Sequence, residues 1–292
     1  MKRWPSRVIN AWSKVLCLVL LLVPVGGVAA QAQEPSAAMG RPAWNLPPDR
    51  FVSVHGYRLH YFEKGTGPAI VLLHGFSGSA GLEWGRVIDA LAVRHRVIAP
   101  HQLGFAPSEA PAIDYDTDAL IESLAGLIRA LDLRGVTLVG ESFGGWVAVS
   151  YAARRAKAGS TLPPIERLVL VDAAVGLTAL EPGRRAFADP AAQAEAAAFV
   201  RAHPIPDHEP TRQRVIANSG FLEGEPTAAE LAAIRVPTLI VWGDEDELVP
   251  RSFGDRLAQL IPGARFELVP GGHIPPVERP RELIALLLDF AR

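Results

Sequence analysis

A serine hydroxyl becomes a nucleophile only where a base can take its proton as it attacks. Ser142 is the serine of this 292-residue chain whose surroundings could supply one. It sits in Gly140-Glu141-Ser142-Phe143-Gly144, directly after the apolar pair Leu138-Val139 and before the helix-compatible stretch Trp146 to Arg155. Strand, Gly-x-Ser-x-Gly, helix is the order of a nucleophile elbow, a turn so sharp that the serine backbone is strained and its hydroxyl stands clear of the sheet. Gly140 and Gly144 give the turn its room. The same residues also read as a glycine-rich turn whose serine only caps the helix that follows. Three further segments bear on the choice, each following a strand-like run. They are His74-Gly75-Phe76, then Trp242-Gly243-Asp244-Glu245-Asp246, then Pro270-Gly271-Gly272-His273. Ligands of an open parallel sheet gather at the carboxyl ends of its strands. Ser, Asp and His can therefore converge there although they lie far apart in sequence.

The elements that must position them follow from hydrophobic patterning. Phe51–Val54 and Tyr57–Phe62 alternate around His55-Gly56 as a β-hairpin. Ala69–Leu73, Arg96–Pro100, Val136–Val139, Arg167–Val171, Pro237–Trp242 and Arg265–Val269 read as strands, the most apolar of them buried on both faces. Helices are predicted over Glu83–Val93, Asp116–Leu131, the elbow helix, Asp255–Ile261 and Pro280–Ala291. In the second, Leu120, Leu124, Leu127, Ile128 and Leu131 fall on one face. Residues 173–234 change character: rich in Ala, Pro and charge, helical near Ala191–Ala202 and Thr211–Phe221, and without an obvious strand. Alternating strands and helices imply an α/β fold, a mostly parallel twisted sheet with helices on both faces. The strandless block is then a helical insertion over the strand ends.

Taken together, these motifs resemble the α/β-hydrolase superfamily over roughly residues 50–292. His74-Gly75-Phe76 resembles its oxyanion loop, Gly140 to Gly144 its elbow, Gly243 to Asp246 its acid loop and Gly272-His273-Ile274-Pro275 its histidine loop. The chain order Ser, Asp, His is the one this fold uses. The resemblance implies that Ser142 is the nucleophile, His273 the general base and Asp246 the acid that orients it. The family's spacing after Gly243 favours Asp246 over Asp244. It also implies that the backbone N–H groups of Phe76 and Phe143 form the oxyanion hole. A serine at this position, rather than an aspartate, argues against dehalogenase or epoxide-hydrolase chemistry. It favours hydrolysis of carboxylic esters, lactones or thioesters, with C–C cleavage, haloperoxidase-like chemistry or a low-turnover binding protein as alternatives. One departure is the loop after Arg96–Pro100, which carries His101-Gln102-Leu103-Gly104-Phe105 where many relatives begin with Asp.

Other polar residues receive structural readings. His74 braces its loop, Glu141 either modulates the site or pairs locally, and Glu278 caps or anchors the final helix. His203 and His208 are surface residues of the insertion. Phe187, Phe199, Phe221 and Leu222 are candidates for an apolar pocket, or simply core.

Composition bounds the rest. An apolar fraction of 49% supports a sizeable core. Lys2, Arg3, Arg7 and Lys14, the apolar run Val15–Val28 and Ala30-Gln31-Ala32 have the layout of a signal peptide cleaved after Ala32, with export to the periplasm or medium; an uncleaved membrane anchor is the alternative. Residues 33–50 read as an extended lead-in and 51–292 as the hydrolase domain with its insertion. The leader contains four of the 29 basic residues and none of the 31 acidic ones, so the mature chain carries a formal charge of −6. Its charge gives no nucleic-acid footprint. The single cysteine, Cys17, lies in the leader. No phosphate loop or metal motif is present, so no cofactor is implied and the expected partner is a small ester-type molecule.

Overall fold

The continuous apolar runs become the interior of one eight-stranded sheet with strand order β1-β2-β4-β3-β5-β6-β7-β8. The computed structural model describes residues 43–177, 184–221 and 226–292. The expected leader, the lead-in up to residue 42 and Leu222 lie outside the described residues. β1 (Asp49–Val54) and β2 (Tyr57–Lys64) form the expected hairpin, and β2 is also antiparallel to β4 (Arg96–Pro100). Pairing from β4 through β3 (Ala69–Leu73), β5 (Thr137–Glu141), β6 (Arg167–Val171) and β7 (Thr238–Gly243) to β8 (Arg265–Val269) is parallel throughout. All residues of β3, β5 and β7 are buried. Such strands face helices on both sides, which explains why their sequences do not alternate.

The helices on one side of the sheet are α1 (Ala80–Trp84), α2 (Ile88–Leu91) and, at the chain end, α10 (Pro280–Phe290), which share a core with Ile70, Leu72, Val139 and Val241. On the other are α3 (Thr117–Ala130), α4 (Ser142–Arg155) and α8 (Ser252–Leu260), packed with Val71, Leu138, Leu170 and Ile240. The single helix predicted over Glu83–Val93 is in fact α1 and α2, separated at Gly85-Arg86-Val87. Gly85 forms the C-cap of α1, where a Cβ would stand 2.6 Å from the Gly81 carbonyl oxygen.

Between β6 and β7 lies the insertion. Its described residues form α5 (Pro190–Ala202), α6 (Glu209–Asn218) and α7 (Ala228–Ala232), with no strand among them. Asp189 caps α5 through the N–H groups of Ala191 and Ala192, and Thr227 closes a capping box with Glu230 at α7. The insertion is fastened to the body at several points. The His273 N–H donates to Ala186, Thr211 Oγ1 to the Gly104 carbonyl and an Arg212 guanidinium N–H to the Phe76 carbonyl, at 2.8, 2.9 and 3.4 Å. A one-turn helix, α9 (Pro275–Glu278), follows the histidine loop. Among the described residues no helix is long and apolar enough to cross a membrane.

Candidate active site

Ser142 has φ +49°, in the left-handed region that a residue with a Cβ rarely occupies. The strain is maintained by close packing around the turn. A Cβ on Gly140 would stand 2.2 Å from the Gly144 carbonyl oxygen, and one on Gly144 would stand 2.4 Å from that of Leu73. Strand, turn and helix therefore meet with no space for side chains. The Ser142 hydroxyl is left pointing at the end of β8.

His273 meets it there. Its Nε2 lies 2.9 Å from Ser142 Oγ and its Nδ1 lies 2.8 Å from Asp246 Oδ2. The carboxylate fixes the tautomer: Nδ1–H donates to Asp246, which leaves Nε2 free to accept the serine proton. Asp246 is itself held, because its Oδ1 accepts the N–H groups of Leu248 and Val249 at 2.8 and 2.9 Å. Asp244 is elsewhere, exposed, and accepts the Gly271 N–H at 3.0 Å. The structure thus brings Ser142, His273 and Asp246 into one hydrogen-bonded chain and leaves Asp244 out of it.

Phe143 is the second residue of α4, one of the positions whose N–H has no partner within its own helix. Phe76 lies in the loop after β3, and the Phe76 and Phe143 rings pack with centroids 5.0 Å apart. The two residues expected at the oxyanion hole are therefore neighbours across the serine. The pocket above them is walled by Phe76, Ala174, Leu177, Phe221, Leu248 and Ile274. Of the candidate pocket aromatics only Phe221 lines it. Phe187 and Phe199 belong to a separate cluster with Leu82, Ile274 and Val277, because the apolar face of α5 turns onto α1 and α9.

This geometry has counterparts among known proteins. The sequence profile of the alpha/beta hydrolase family matches residues 70–286. The chain belongs to the alpha/beta hydrolase family. A 2-hydroxymuconate semialdehyde hydrolase of Pseudomonas sp. (strain CF600) is 29% identical, the match covering 82% of this chain and 93% of that one. Lipase 3 of Moraxella sp. (strain TA144) is 29% identical, over 73% of this chain and 74% of its own. The crystal structure of the enol-lactonase from Burkholderia xenovorans LB400 superposes with a TM-score of 0.69 at 25% identity, covering 82% of this chain and 99% of that one.

Around the triad of this hydrolase, two readings need correction. Glu278 does not cap the final helix. Its Oε1 accepts the Gly272 N–H at 3.0 Å, and its Oε2 those of Ala188 and Asp189 at 3.1 and 2.9 Å, so it ties the histidine loop to the root of the insertion. His208 is not a surface residue. It is buried against the Phe105 ring, and burial, with the charge of Arg212 next, holds its pKa down to about 4. His203 is exposed, stacked on Phe199. His74 does brace its loop: Nδ1 lies 2.7 Å from the Gly75 carbonyl oxygen and Nε2 accepts the Gln102 N–H at 3.0 Å. His101 is buried with its Nδ1 2.9 Å from that of His60.

Two acids close to the triad went unnoticed in the sequence. Asp172, at the end of β6, is fully buried with φ +43°, and its Oδ1 accepts the Gly243 N–H at 2.9 Å. Burial first, then the charge of Asp246, raises its carboxyl well above the usual range. Glu83, in α1, is 1% exposed and lines the pocket floor beside Glu141. A signal existed for each: a lone acid closing the apolar run of β6, and a lone acid inside Ala80-Gly81-Leu82-Glu83-Trp84. Among the described residues no group of three or more His, Cys, Asp or Glu could hold a metal ion.

Proposed function

We propose that this hydrolase cleaves carboxylic esters through an acyl-enzyme on Ser142. The observation that carries the reading is the chain Asp246–His273–Ser142, linked at 2.8 and 2.9 Å on the floor of an apolar pocket. Ser142 Oγ attacks the ester carbonyl while His273 Nε2 takes its proton, and Asp246 stabilises the imidazolium that forms. The negative charge of the tetrahedral intermediate falls between the N–H groups of Phe76 and Phe143. Collapse expels the alcohol, protonated by His273. Water, deprotonated by the same imidazole, then attacks the acyl-enzyme and releases the acid.

Relatives with C–C bond chemistry support a second reading, in which a β-diketone-like acid is cleaved by the same residues. The pocket lining favours the ester. Among its described residues there is no lysine or arginine to receive a substrate carboxylate, and Glu83 and Glu141 occupy its floor. An uncharged ester suits those walls better than an anion.

The test compares a p-nitrophenyl ester series with a 2-hydroxy-6-oxo-dienoate as substrates for the wild type and Ser142→Ala. Wild-type turnover of the esters with a loss of at least about a thousandfold in kcat for Ser142→Ala is expected. Equal ester rates for the two proteins would overturn the nucleophile. Turnover of the dienoate alone would move the reading to C–C cleavage.

A further inference from the structure

Beneath the nucleophile lies a pair of acids that the reaction does not use. Glu83 and Glu141 are 1% and 2% exposed, and both border the pocket. Their carboxyls hydrogen-bond each other. Two carboxylates cannot do so; one proton must lie between them. The negative charge belongs on Glu83, where donors already point at it. Its Oε2 accepts the Gly75 N–H at 2.6 Å and its Oε1 the Ser77 hydroxyl. The proton belongs on Glu141, raised well above the carboxylate range by burial first and then by Glu83, with Asp172 and Asp246 adding to it. The imidazole of His273 also faces the pair, its Nε2 3.8 Å from Glu141 Oε1.

These bonds converge on one place. Glu83 grips the loop on either side of Phe76, at Gly75 and Ser77, while Glu141 is the residue immediately before Ser142. At Gly75 the loop touches the elbow so closely that a Cβ would stand 2.1 Å from Glu141 Oε2 and 3.0 Å from Ser142 Cβ. We propose that Glu83 and Glu141 form an acid–carboxylate clamp that holds the oxyanion loop against the nucleophile elbow, so that the Phe76 N–H stays aimed at the developing oxyanion. Both are positioning residues, and the proposal rests on Ser142 being the nucleophile. Loss of the shared proton at alkaline pH sets two carboxylates against each other and releases the loop.

The test follows kcat and KM for a p-nitrophenyl ester across pH in the full chain. Glu83→Ala and Glu141→Ala are expected to lose about a hundredfold in kcat with little change in KM, because the donor they aim acts in the transition state. Glu141→Gln offers Glu83 an N–H that does not titrate. It should recover most of the loss and move the alkaline fall of kcat to higher pH. An alkaline limb identical to that of the wild type would overturn the clamp. If the alanine variants do not fold, the glutamine variant and its pH profile decide. A substrate-free measurement separates the clamp from the ester reading: the infrared difference between wild type and Glu141→Gln near pH 7 should contain a protonated-carboxyl band. No such band overturns the clamp whatever the substrate. If the band is present and esters are not turned over, the ester reading falls, and the rate of fluorophosphonate labelling of Ser142 replaces kcat in the same comparison.

Discussion

His273 could have been oriented by either of two acids two residues apart, and the backbone decides between them. The chain turns after Gly243 so that Asp246 faces inward with its second oxygen on the N–H groups of Leu248 and Val249, while Asp244 faces the Gly271 N–H. Asp246→Asn presents an amide where Nδ1–H needs an acceptor charge, and should lower kcat by about 10³–10⁴. Asp244→Asn keeps an oxygen for Gly271 and should stay within about tenfold of the wild type. Steady-state kinetics on one ester checks both, and the reverse ranking would sink the assignment. The triad was legible because each member follows a strand within a short motif that contains glycine. Glu83 and Asp172 stood out only as lone acids in or after apolar runs, since what gives them meaning is a neighbouring acid from another part of the chain. No local pattern announces such a pairing.

At the level of elements, hydrophobic patterning located β3, β4 and β6 to the residue, because buried parallel strands are apolar runs between polar breaks, and it located β8, a half-exposed edge strand, as well. It was weaker where tertiary contacts set the structure. The lead-in carried no periodic signal, yet its described part is a packed strap. The Trp44 indole N–H donates to the Leu82 carbonyl at 2.8 Å, its ring lies 4.9 Å from that of Phe199, and the Arg86 guanidinium sits 3.6 Å above it. Arg86 also pairs with Glu195 of α5. Trp44 thus joins α1 of the body to α5 of the insertion. Trp44→Ala removes a half-buried ring, a hydrogen bond and a cation–π contact, about 2 kcal/mol together. For a domain of this size that lowers Tm by about 4–8 °C. Faster proteolysis within the insertion should accompany the drop, since α5 loses its tie. An unchanged Tm would show that the strap contributes nothing to stability.

Across the whole molecule, the buried ionisable groups place limits on the pH range of stability from both sides. His74 and His208 are held down to about 4, and His101 well below its ordinary value, in each case by burial first. Unfolded, these histidines take up protons below about pH 6.5 that the native state refuses, so stability falls as pH drops from there toward about 4. Glu141 and Asp172 act in the opposite sense. Their native carboxyls keep protons that the unfolded chain has given up above the ordinary carboxylate range. Each retained proton therefore lowers stability by about 1.4 kcal/mol per pH unit as pH rises, until the native group ionises. Above about pH 6.5 the histidines are neutral in both states and only the acids contribute to this slope. Thermal melts of the wild type should show Tm declining from about pH 7 into the alkaline range. Glu141→Gln removes one of the retained protons while leaving the Glu83 charge in place, so its alkaline decline should be shallower and its acid side unchanged. Parallel alkaline slopes for the two proteins would mean that Glu141 is ionised in the native state near neutrality, and the cost of holding a neutral acid beside the nucleophile would have to be sought elsewhere.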